Sequence, residues 1–522
     1  MAPAVDSRLA ILAGILLFFG AVKALSKSTR RRNKLSLPPG PVPLPVLGNI
    51  LSVDSREPWL TYTDLGAAYG DLVFLRMIDE SIVVVNSQHV AEALLDKRSR
   101  IYSNRPYLAT VEPYGFSISF GFMNYGYEWR LCRRIFHQTF RPELAVQYRP
   151  THIRRAREMI VNLVDDPQHY HDHFATFSLS IVMSAIYGYD ISARDDPLVE
   201  NVVKALVPGV SVLTPQRSLI LKKFPFLLKL PDWCWGSSMK RVARVSTERL
   251  NEMADRPIRH VRQHMADSSF LARSSMVAEN LRQIETQEDA FNPVFESALR
   301  KTASTAVMAA YEATATVLKV FFLAMVLHPD VQKRAQEEID SVVGKERLPT
   351  FEDRASLPYI DAIVRETFRW EPVAPLGISH ATSSDDVYDG YFIPKGAIVT
   401  YNTWAITRDE KRYPDASRFM PERFIDVNGA LTSDDPAQYF FGFGRRRCPG
   451  VYTADSSVWS AVVTVLATLD ISSGKDDQGK VITFTPTFNP GVIRSPADFP
   501  CCISARSHIH SGRVDSWRTA ES

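Results

Sequence analysis

The stretch Phe441-Gly442-Phe443-Gly444-Arg445-Arg446-Arg447-Cys448-Pro449-Gly450 places a cysteine in a cationic, glycine-rich loop near the C-terminal end of the chain. Glycines let backbone N–H groups approach the sulfur, and arginines such as Arg446 stabilise negative charge. Pro449 and the apolar residues after it suit the first turn of a helix, whose N-terminus also lowers the pKa of a thiol. Cys448 considered alone is more typical of a small buried core residue. The surrounding loop instead predicts a thiolate, which is a good ligand for iron.

The spacing Phe441-x-x-Gly444-x-Arg446-x-Cys448-x-Gly450 resembles the haem-binding loop of the cytochrome P450 family. Two earlier segments agree with it in order and separation. Glu366–Arg369 resembles the family's Glu-x-x-Arg helix, and Phe419–Phe424 resembles the segment that precedes the haem loop. The resemblance runs from about Pro38 to the vicinity of Ser504. It implies haem b as the cofactor, Cys448 as the axial thiolate ligand of the iron, and a haem loop that includes Phe441, Gly444, Arg446 and Gly450.

The same resemblance implies further contacts with the haem. The segment from Trp129 to Arg134 resembles the family's Trp-x-x-x-Arg helix, in which Trp129 and Arg133 would reach a haem propionate. Arginine suits this role because its guanidinium forms two charge-assisted hydrogen bonds with a carboxylate. His380 stands where the family places another propionate partner, although a lone histidine is also typical of an ordinary surface or core position.

Glu366 and Arg369 lie three residues apart on a predicted helix, so they share one face and can form an ion pair. Arg423 is the candidate for a second arginine brought in from elsewhere. The resemblance implies that these three residues form a structural triad behind the haem. Glu366 and Arg369 without that context would more often be a solvated surface pair.

The longest predicted helix begins near Asn292-Pro293, where asparagine caps and proline suits the first turn, and it ends at Leu327 before His328-Pro329. At 1.5 Å per residue this helix would be about 50 Å long. It is apolar nearly all round, which is typical of a helix that crosses the centre of a domain.

The central helix departs from the family pattern within Ala309–Thr314, which aligns with the oxygen-binding groove. An acid is normally followed there by threonine; this chain keeps the acid as Glu312 but has Ala313 in place of the threonine. We therefore expect less tightly coupled oxygen activation. Thr314 is a possible substitute only if the helix bulges, because the next residue along a helix is turned by about 100°. Our hypothesis is that Glu312 with ordered water, or a hydroxyl group of the substrate, carries the proton relay.

The remaining sequence predicts an α-dominated α+β fold. Two short strands, Leu72–Met77 and Ser81–Asn86, form a small sheet near the N-terminus, and β-like sequence returns at Ile393–Thr400 and Val481–Pro486. No linker, repeat or low-complexity tract divides the chain. We expect one catalytic domain over residues 46–505, followed by a polar tail over residues 506–522.

The N-terminal sequence predicts a membrane anchor. Leu9–Leu25 is apolar apart from Lys23, about the shortest length that spans a bilayer, and basic residues follow from Lys27 to Lys34. Positive charge after the apolar run keeps the following domain on the cytosolic side, whereas a cleaved signal peptide is the alternative. We assign residues 1–25 to a signal anchor and residues 26–45 to a basic, proline-rich linker. The resemblance implies a single-pass protein of the endoplasmic reticulum membrane.

Composition excludes several other classes of protein. The net charge of +3 is too small to indicate nucleic-acid binding, and five irregularly spaced cysteines do not form a disulfide framework. His169–His173 superficially suggests a metal site, but alternate residues point apart on a helix. Gly442-x-Gly444 is a weak candidate for a dinucleotide loop, because a third glycine and a preceding strand are missing.

The partners implied by the resemblance are a reductase, dioxygen and a substrate. Four arginines, Arg130, Arg134, Arg445 and Arg447, would form a cationic patch that steers an acidic electron donor. The resemblance implies NADPH–cytochrome P450 reductase as that donor. Substrate contacts are expected at Tyr107–Phe122, near Ala309, at Ala374–Ser379 and at Phe488–Ile493. These segments are mainly apolar, so a lipophilic small molecule is predicted.

The sequence as a whole predicts a membrane-anchored haem-thiolate monooxygenase that inserts one oxygen atom from O2, and it is most similar to fungal enzymes of secondary metabolism or foreign-compound oxidation. Two alternatives stay open. Because Ala313 replaces the usual threonine, the chain could be an isomerase, a dehydratase or a peroxide-using haem enzyme. It could also be a non-catalytic membrane protein that binds haem or lipid.

Overall fold

The computed structural model describes residues 35–192, 195–210, 213–234, 237–267, 275–286, 293–507 and 517. The predicted anchor at residues 1–25 and nearly all of the predicted C-terminal tail lie outside the described residues. Helices dominate the fold, as predicted. The α-helices span Pro58–Tyr69, Gln88–Ala91, Tyr127–Phe140, Pro142–Ala145, Arg149–Asp165, Tyr170–Tyr187, Pro197–Val210, Pro215–Lys223, Ser238–His264, Met276–Thr286, Pro293–Leu327, Pro329–Val342, Pro358–Trp370, Thr403–Thr407, Ala437–Phe440 and Val451–Thr468.

The central helix Pro293–Leu327 confirms the prediction of one long helix through the core. Its C-terminal half is mostly buried, because Val317, Leu318 and Val320–Val326 join the largest apolar cluster. The helix packs against Tyr170–Tyr187 and Tyr127–Phe140. Among the described residues it is the one helix long and apolar enough to cross a membrane, but most of its apolar stretch is buried inside the protein, as expected of a core helix.

The main β-sheet has four strands. Strand β1 (Leu72–Met77) pairs antiparallel with β2 (Glu80–Val85), which pairs in parallel with β6 (Ile398–Tyr401), and β3 (His380–Ala381) completes the sheet. Two-stranded sheets join β4 (Asp386–Tyr388) with β5 (Tyr391–Ile393), β7 (Leu469–Ser473) with β10 (Cys501–Ala505), and β8 (Phe488–Asn489) with β9 (Ser495–Pro496).

The predicted pair of N-terminal strands is therefore half of a larger sheet. An isolated hairpin is at best marginally stable in water, and β6 supplies the missing partner from a position more than 300 residues later by sequence numbering. The same pairing fixes the position of β3, which carries His380. The β-like segment Val481–Pro486 forms no named strand; Val481 makes one isolated bridge with Lys475.

Candidate active site

Backbone contacts fix the shape of the cysteine loop. The N–H of Cys448 donates to the carbonyl oxygen of Phe441 (2.8 Å), and the N–H of Gly444 donates to the carboxylate of Asp96. Gly444 has a positive φ of 56°, and a Cβ placed on it would lie 3.2 Å from Ser99 Cβ and still closer to the carbonyl oxygen of Leu95. Only glycine fits this position without moving the loop away from residues 92–99.

Cys448 is half-buried, and burial raises the pKa of its thiol above the usual value. The N–H of Gly450 and the guanidinium groups of Arg133 and Arg447 act in the opposite direction. In the folded chain without a bound metal, the loss of hydration outweighs the nearby positive charge, so the loop by itself does not stabilise the thiolate. A bound metal ion reverses this balance, since coordination removes the proton from a thiol.

Two details of the loop differ from the sequence-based expectation. The following helix begins at Val451 with Gly450 as its N-cap, so Pro449 lies before the helix rather than in its first turn. Arg446 does not face the sulfur. Its Nε donates to the carbonyl oxygen of Ser103 (2.8 Å) and its Nη2 donates to that of Met123 (2.6 Å). The arginine predicted to stabilise the thiolate points into a separate pocket.

The pocket around Arg446 contains several basic side chains. The Arg446 guanidinium lies 4.5 Å from the ring centroid of Trp129. Arg105, which is 9% exposed, donates to the carbonyl oxygens of Ile378 and Ser379 at 2.8 Å each. His380 is 2% exposed, and its Nδ1 lies 2.6 Å from the carbonyl oxygen of Tyr102. Within the described parts of the chain, none of these three basic side chains forms an ion pair with a carboxylate.

Burial without an anion lowers the pKa of every basic group in this pocket. The pKa of Arg446 falls to about 9, through burial and then through repulsion from Arg105 and Arg133. Burial and the same kind of repulsion bring the pKa of His380 to about 3, and burial brings that of Arg105 to about 10. An anionic ligand would relieve this repulsion and be stabilised in return.

The residues present fit a haem with two propionate groups. Trp129 Nε1 and Arg446 Nη1 are buried donors that have no hydrogen-bond partner among the described residues. Unsatisfied buried donors are costly, and a carboxylate is the partner that such donors and cations bind best. A single thiol in one loop and a cationic pocket next to it therefore match the axial ligand and the carboxylates of this cofactor.

Other residues of the predicted haem contacts have mainly structural partners. Arg133 donates from Nη1 to the carbonyl oxygen of Arg447 (2.6 Å), which ties the helix Tyr127–Phe140 to the cysteine loop. The Phe441 ring packs edge-on against Phe368, with the centroids 5.5 Å apart. A Cβ placed on Gly450 would meet only Phe136, at 3.9 Å, so the described contacts leave space at this position.

Glu366, Arg369 and Arg423 meet in the buried interior. Both carboxylate oxygens of Glu366 accept from Arg369, with Nε–Oε2 at 2.6 Å and Nη2–Oε1 at 2.8 Å, and both side chains are fully buried. Arg423 Nε donates to Glu366 Oε1 at 3.2 Å. Arg369 also donates from Nη1 to the carbonyl oxygens of Thr407 and Ala416 at 2.9 Å. This network joins the helix Pro358–Trp370 to the segment that leads into the cysteine loop.

The groove segment of the central helix contains no bulge. The helix is regular α-helix from Pro293 to Leu327, so Thr314 is turned by about 100° from Ala313 and shares a face with the buried Leu318 and Phe321. This orientation argues against Thr314 as a substitute for the missing hydroxyl. Ala309 is exposed although it lies in the middle of a core helix, which indicates an accessible space beside this segment.

Glu312 is a partly buried acid in the same segment. Burial raises the pKa of its carboxyl, and Lys319 acts in the opposite direction. Lys319 lies seven residues, almost two full turns, further along, so both side chains share a face. Burial lowers the pKa of Lys319, whereas Asp498, Asp172 and Glu312 raise it. Charged groups thus extend from Glu312 towards Asp498, whose side chain is 92% exposed.

The histidines of His169–His173 do not converge. His171 and His173 both lie in the helix Tyr170–Tyr187. His171 Nε2 approaches Asp498 Oδ1 (2.7 Å), whereas His173 Nε2 lies 2.9 Å from the carbonyl oxygen of Asp166. Across the described segments, no group of three histidine, cysteine, aspartate or glutamate side chains is placed to hold a metal ion.

Comparisons with known proteins agree with the geometry of the site. The sequence model of the cytochrome P450 family matches residues 38–499. The chain belongs to the cytochrome P450 family. Cytochrome P450 monooxygenase claR of Ampulloclitocybe clavipes is 35% identical over 480 residues, which are 91% of this chain and 87% of that protein.

Two further relatives are similar over nearly their full length. Cytochrome P450 monooxygenase COX2 of Coprinopsis cinerea is 36% identical over 502 residues, 95% of this chain and 93% of that protein. Tryptamine 4-monooxygenase of Psilocybe cyanescens is 34% identical over 511 residues, 95% of this chain and 97% of that protein. Membership of this family of haem-thiolate monooxygenases makes the chain an oxidoreductase, with haem b bound through a cysteine thiolate.

The residue that sequence reasoning missed is Arg105. In this cytochrome P450 it is the buried cation that joins residues 378 and 379 to the Arg446 pocket. Its local sequence, Asn104-Arg105-Pro106, has no motif spacing. Its position immediately before the segment predicted to contact substrate was the only available signal.

Proposed function

We propose that this cytochrome P450 inserts one oxygen atom from O2 into a lipophilic small molecule, using electrons from NADPH delivered by a reductase. The observation that carries the proposal is the combination of one half-buried cysteine, Cys448, with a pocket of buried basic side chains around Arg446. Haem b bound at such a site would supply the activation of dioxygen, which a cysteine thiolate ligand favours.

The chain's own residues hold the cofactor in this proposal. Cys448 would hold the haem iron through its thiolate sulfur. Arg105, Arg446, His380 and Trp129 bind the propionates, and Arg133 keeps the cysteine loop against its neighbouring helix. The buried donors of Trp129 and Arg446 that lack partners in the described structure support this assignment. Each would gain a charge-assisted hydrogen bond when the cofactor binds.

Glu312 holds and transfers the proton needed on the central-helix side. Its raised pKa brings its proton affinity closer to neutral pH, which suits a proton carrier better than the usual value for glutamate does. Lys319, Asp172 and Asp498 continue the charged groups towards solvent. Ala313 contributes no hydroxyl, so ordered water or the substrate completes the path.

A lipophilic substrate fits the segments around the exposed position Ala309. Ile378 and Val492 are apolar side chains that are 49% and 53% exposed, in two of the four segments expected to contact substrate. Ser119–Phe120 is tied to the central helix, because Thr305 Oγ1 accepts from the N–H of Phe120 (3.0 Å). Burial of apolar area would supply most of the binding energy.

The electron donor binds the cationic patch formed by Arg130, Arg134, Arg445 and Arg447. All four side chains are exposed, and both Arg130 and Arg445 lie over the ring of Tyr125, at 5.6 and 4.9 Å. Arg447 and the neighbouring Arg133 are also the two arginines that act on the pKa of Cys448. A donor attracted to this patch would therefore dock on the cysteine side of the haem. An acidic NADPH–cytochrome P450 reductase fits this requirement.

The protein is held at the endoplasmic reticulum membrane, with its catalytic domain in the cytosol. Residues 1–25 would provide the anchor. Two groups of exposed apolar side chains support a membrane-facing surface next to the anchor. The ion pair between Lys223 and Asp79 (2.8 Å) brings these two groups to one side of the protein. The groups are Val42, Leu44, Val46, Leu47 and Leu51, and Phe224, Phe226 and Trp233.

A haem-thiolate enzyme without monooxygenase activity is the second candidate, because the uninterrupted helix keeps Thr314 away from the position of the missing hydroxyl. An isomerase, dehydratase or peroxide-using enzyme does not need the same proton delivery to dioxygen. The choice between these classes depends on which oxidant supports turnover.

The decisive experiment measures turnover of a panel of lipophilic compounds by the purified haem-bound protein. We expect product with NADPH, reductase and O2, and oxygen from isotopically labelled O2 in that product. The reduced carbon monoxide difference spectrum identifies thiolate ligation beforehand. Product formed with peroxide alone, or with no oxidant, would select the second candidate. An imidazole-type spectrum would contradict both.

A further inference from the structure

The hairpin formed by β8 and β9 carries one of the segments expected to contact substrate, Phe488–Ile493, and it lies next to another, Ala374–Ser379. Phe488 pairs with Pro496 and Asn489 with Ser495, and the chain between them turns back through Pro490–Arg494. Strand β9 packs against the central helix. The backbone N–H of Arg494 donates to the carbonyl oxygen of Val373 (2.8 Å). The hairpin is thus attached directly to the chain that enters the other segment, Ala374–Ser379.

A buried ion pair reinforces this attachment. Arg494 Nη1 donates to Glu371 Oε2, and the two side chains are only 8% and 11% exposed. Glu371 Oε1 also accepts from Arg408 Nη2 at 3.2 Å. Burial lowers the pKa of Arg408 to about 10, which leaves it charged at neutral pH. One carboxylate therefore holds two guanidinium groups that would otherwise repel each other.

Aromatic rings fix the orientation of both guanidinium groups. Arg494 Cζ lies 3.5 Å from the centroid of Phe488, in its own hairpin, and 4.8 Å from that of Trp404. Arg408 Cζ lies 3.9 Å from the same Trp404 ring. These distances are within the range of cation–π attraction. Arg494 consequently has little freedom to change rotamer without losing several contacts together.

A contribution to global stability alone does not account for such an arrangement. Desolvation of two buried charges cancels most of their attraction, and apolar residues of similar volume often stabilise a core equally well. What an ion pair with defined geometry adds is a fixed relative position of the two segments it joins. Here those segments are the hairpin at residues 488–496 and the chain at residues 371–379.

We propose that the Glu371–Arg494 pair is a positioning element for substrate selection, which holds the turn of the β8–β9 hairpin against Ala374–Ser379. The two segments present the exposed apolar side chains Val492 and Ile378. With the pair intact, the two segments keep one relative position, and this favours large, rigid apolar ligands that match it. The inference rests on the proposed function, because it takes these segments as ligand contacts.

The test compares a small and a large ligand of the haem iron in the haem-bound enzyme. Imidazole needs little space, whereas the much larger clotrimazole would extend to the two segments. Dissociation constants come from optical titration of Arg494→Gln, Glu371→Gln and the double variant. The control is Arg506→Gln, which breaks a similarly buried pair with Asp340 (Nη2–Oδ2 2.7 Å) in another part of the protein.

We expect clotrimazole to bind about fivefold or more weakly to Arg494→Gln and to Glu371→Gln, and the double variant to be no weaker than either alone. Imidazole should bind all variants within about twofold of the parent. Arg506→Gln should lower the Tm and leave the ratio of the two dissociation constants unchanged. Hydrogen exchange of residues 488–496 should accelerate only in the variants of the Glu371–Arg494 pair.

Two results would overturn the inference: an unchanged ratio of the dissociation constants in Arg494→Gln, or the same change of ratio in Arg506→Gln. If Arg494→Gln does not fold, Arg494→Lys gives the same comparison, because lysine keeps the charge but not the planar contacts. Failure of the proposed function is a separate outcome. It would be seen in the parent protein as the absence of a thiolate-type carbon monoxide spectrum.

Discussion

In the proposed function the cysteine loop holds the haem and the groove segment of the central helix transfers the proton. The two regions are built in different ways. In the loop, backbone contacts and the positive φ of Gly444 determine the shape, so one altered residue would change the structure. In the groove, Ala313 replaces the usual threonine and the helix stays regular. A substitution in a site made by backbone geometry alters the structure of that site. A substitution of one side chain on a helix can change the chemistry of a site while the backbone stays the same.

The largest expected effect comes from removing the sulfur. Cys448→Ser should lose the thiolate-type carbon monoxide spectrum and lower turnover by at least about 1,000-fold, because serine is not a comparable ligand for haem iron. Cys132→Ser, at a buried cysteine in the helix Tyr127–Phe140, is the control and should keep the spectrum. Full activity of Cys448→Ser would remove the basis of the proposed function.

The next prediction tests whether backbone geometry controls the loop. Gly444→Ala should lower the free energy of unfolding by about 1–3 kcal/mol and should weaken haem retention. The cause is that a Cβ at this positive φ would collide with the carbonyl of Leu95. Gly450→Ala is the matched variant in the same loop, where a Cβ meets only Phe136 at 3.9 Å. We expect Gly450→Ala to stay within about 0.5 kcal/mol of the parent in thermal unfolding. Equal losses in both variants would contradict the distinction.

The groove should respond to side-chain chemistry at Ala313 and not at Thr314. Ala313→Thr restores the usual hydroxyl, and we expect severalfold less hydrogen peroxide released per product formed, with little change in Tm. Thr314→Ala should leave this ratio unchanged, because its side chain points away by about 100°. If Thr314→Ala raises peroxide release and Ala313→Thr does not lower it, Thr314 carries the proton after all.

Glu312 gives a prediction for the pH dependence of stability. Its folded pKa is raised, so the folded protein binds the proton more tightly than the unfolded chain does. The ionised carboxylate therefore costs stability once the pH exceeds the unfolded value of about 4.3, and the cost grows until the folded pKa is passed. Glu312→Gln should gain Tm relative to the parent as the pH rises through this window, while its turnover falls.

The control for this pH series is Glu352→Gln, at an exposed position. The difference in Tm between this variant and the parent should show no comparable rise with pH. A constant difference between Glu312→Gln and the parent from pH 4 to pH 8 would contradict the assignment of a raised pKa to Glu312.

The smallest effect is expected at the cationic patch. Arg445→Glu should raise the reductase concentration needed for half-maximal rate by about two- to fivefold, and the change should shrink at high salt. Lys475→Glu, an exposed reversal in another part of the chain, should have no such effect. Equal effects of both reversals would indicate a general response to net charge instead of a docking surface.

How far the fold could be predicted depended on the distance along the chain between interacting residues. The central helix and the helix that carries Glu366 and Arg369 were predictable, because capping residues and spacing are local. The pairing of β2 with β6 was not, since nothing in either strand identifies its partner. Arg105 escaped notice for the same reason: its contacts with residues 378 and 379 span more than 270 positions.

The state of Cys448 illustrates a second limit. The composition of the loop indicated a stabilised thiolate, because local charge and glycine content are visible in the sequence. Burial is not visible there, and it dominates the pKa of the thiol in the folded chain. Arg446 shows the same limit, since its spacing from the cysteine is fixed by the sequence but its direction depends on where Ser103 and Met123 lie.

The sequence by itself determined the family, the loop that contains Cys448, the long central helix and the absence of a hydroxyl at position 313, because each of these is a property of neighbouring residues. Tertiary structure alone decided the pocket of buried cations, the orientation of Thr314 and the pairing of Glu371 with Arg494 across 123 positions. Burial and contact between distant segments set the energies of these groups, and both arise only when the chain has folded.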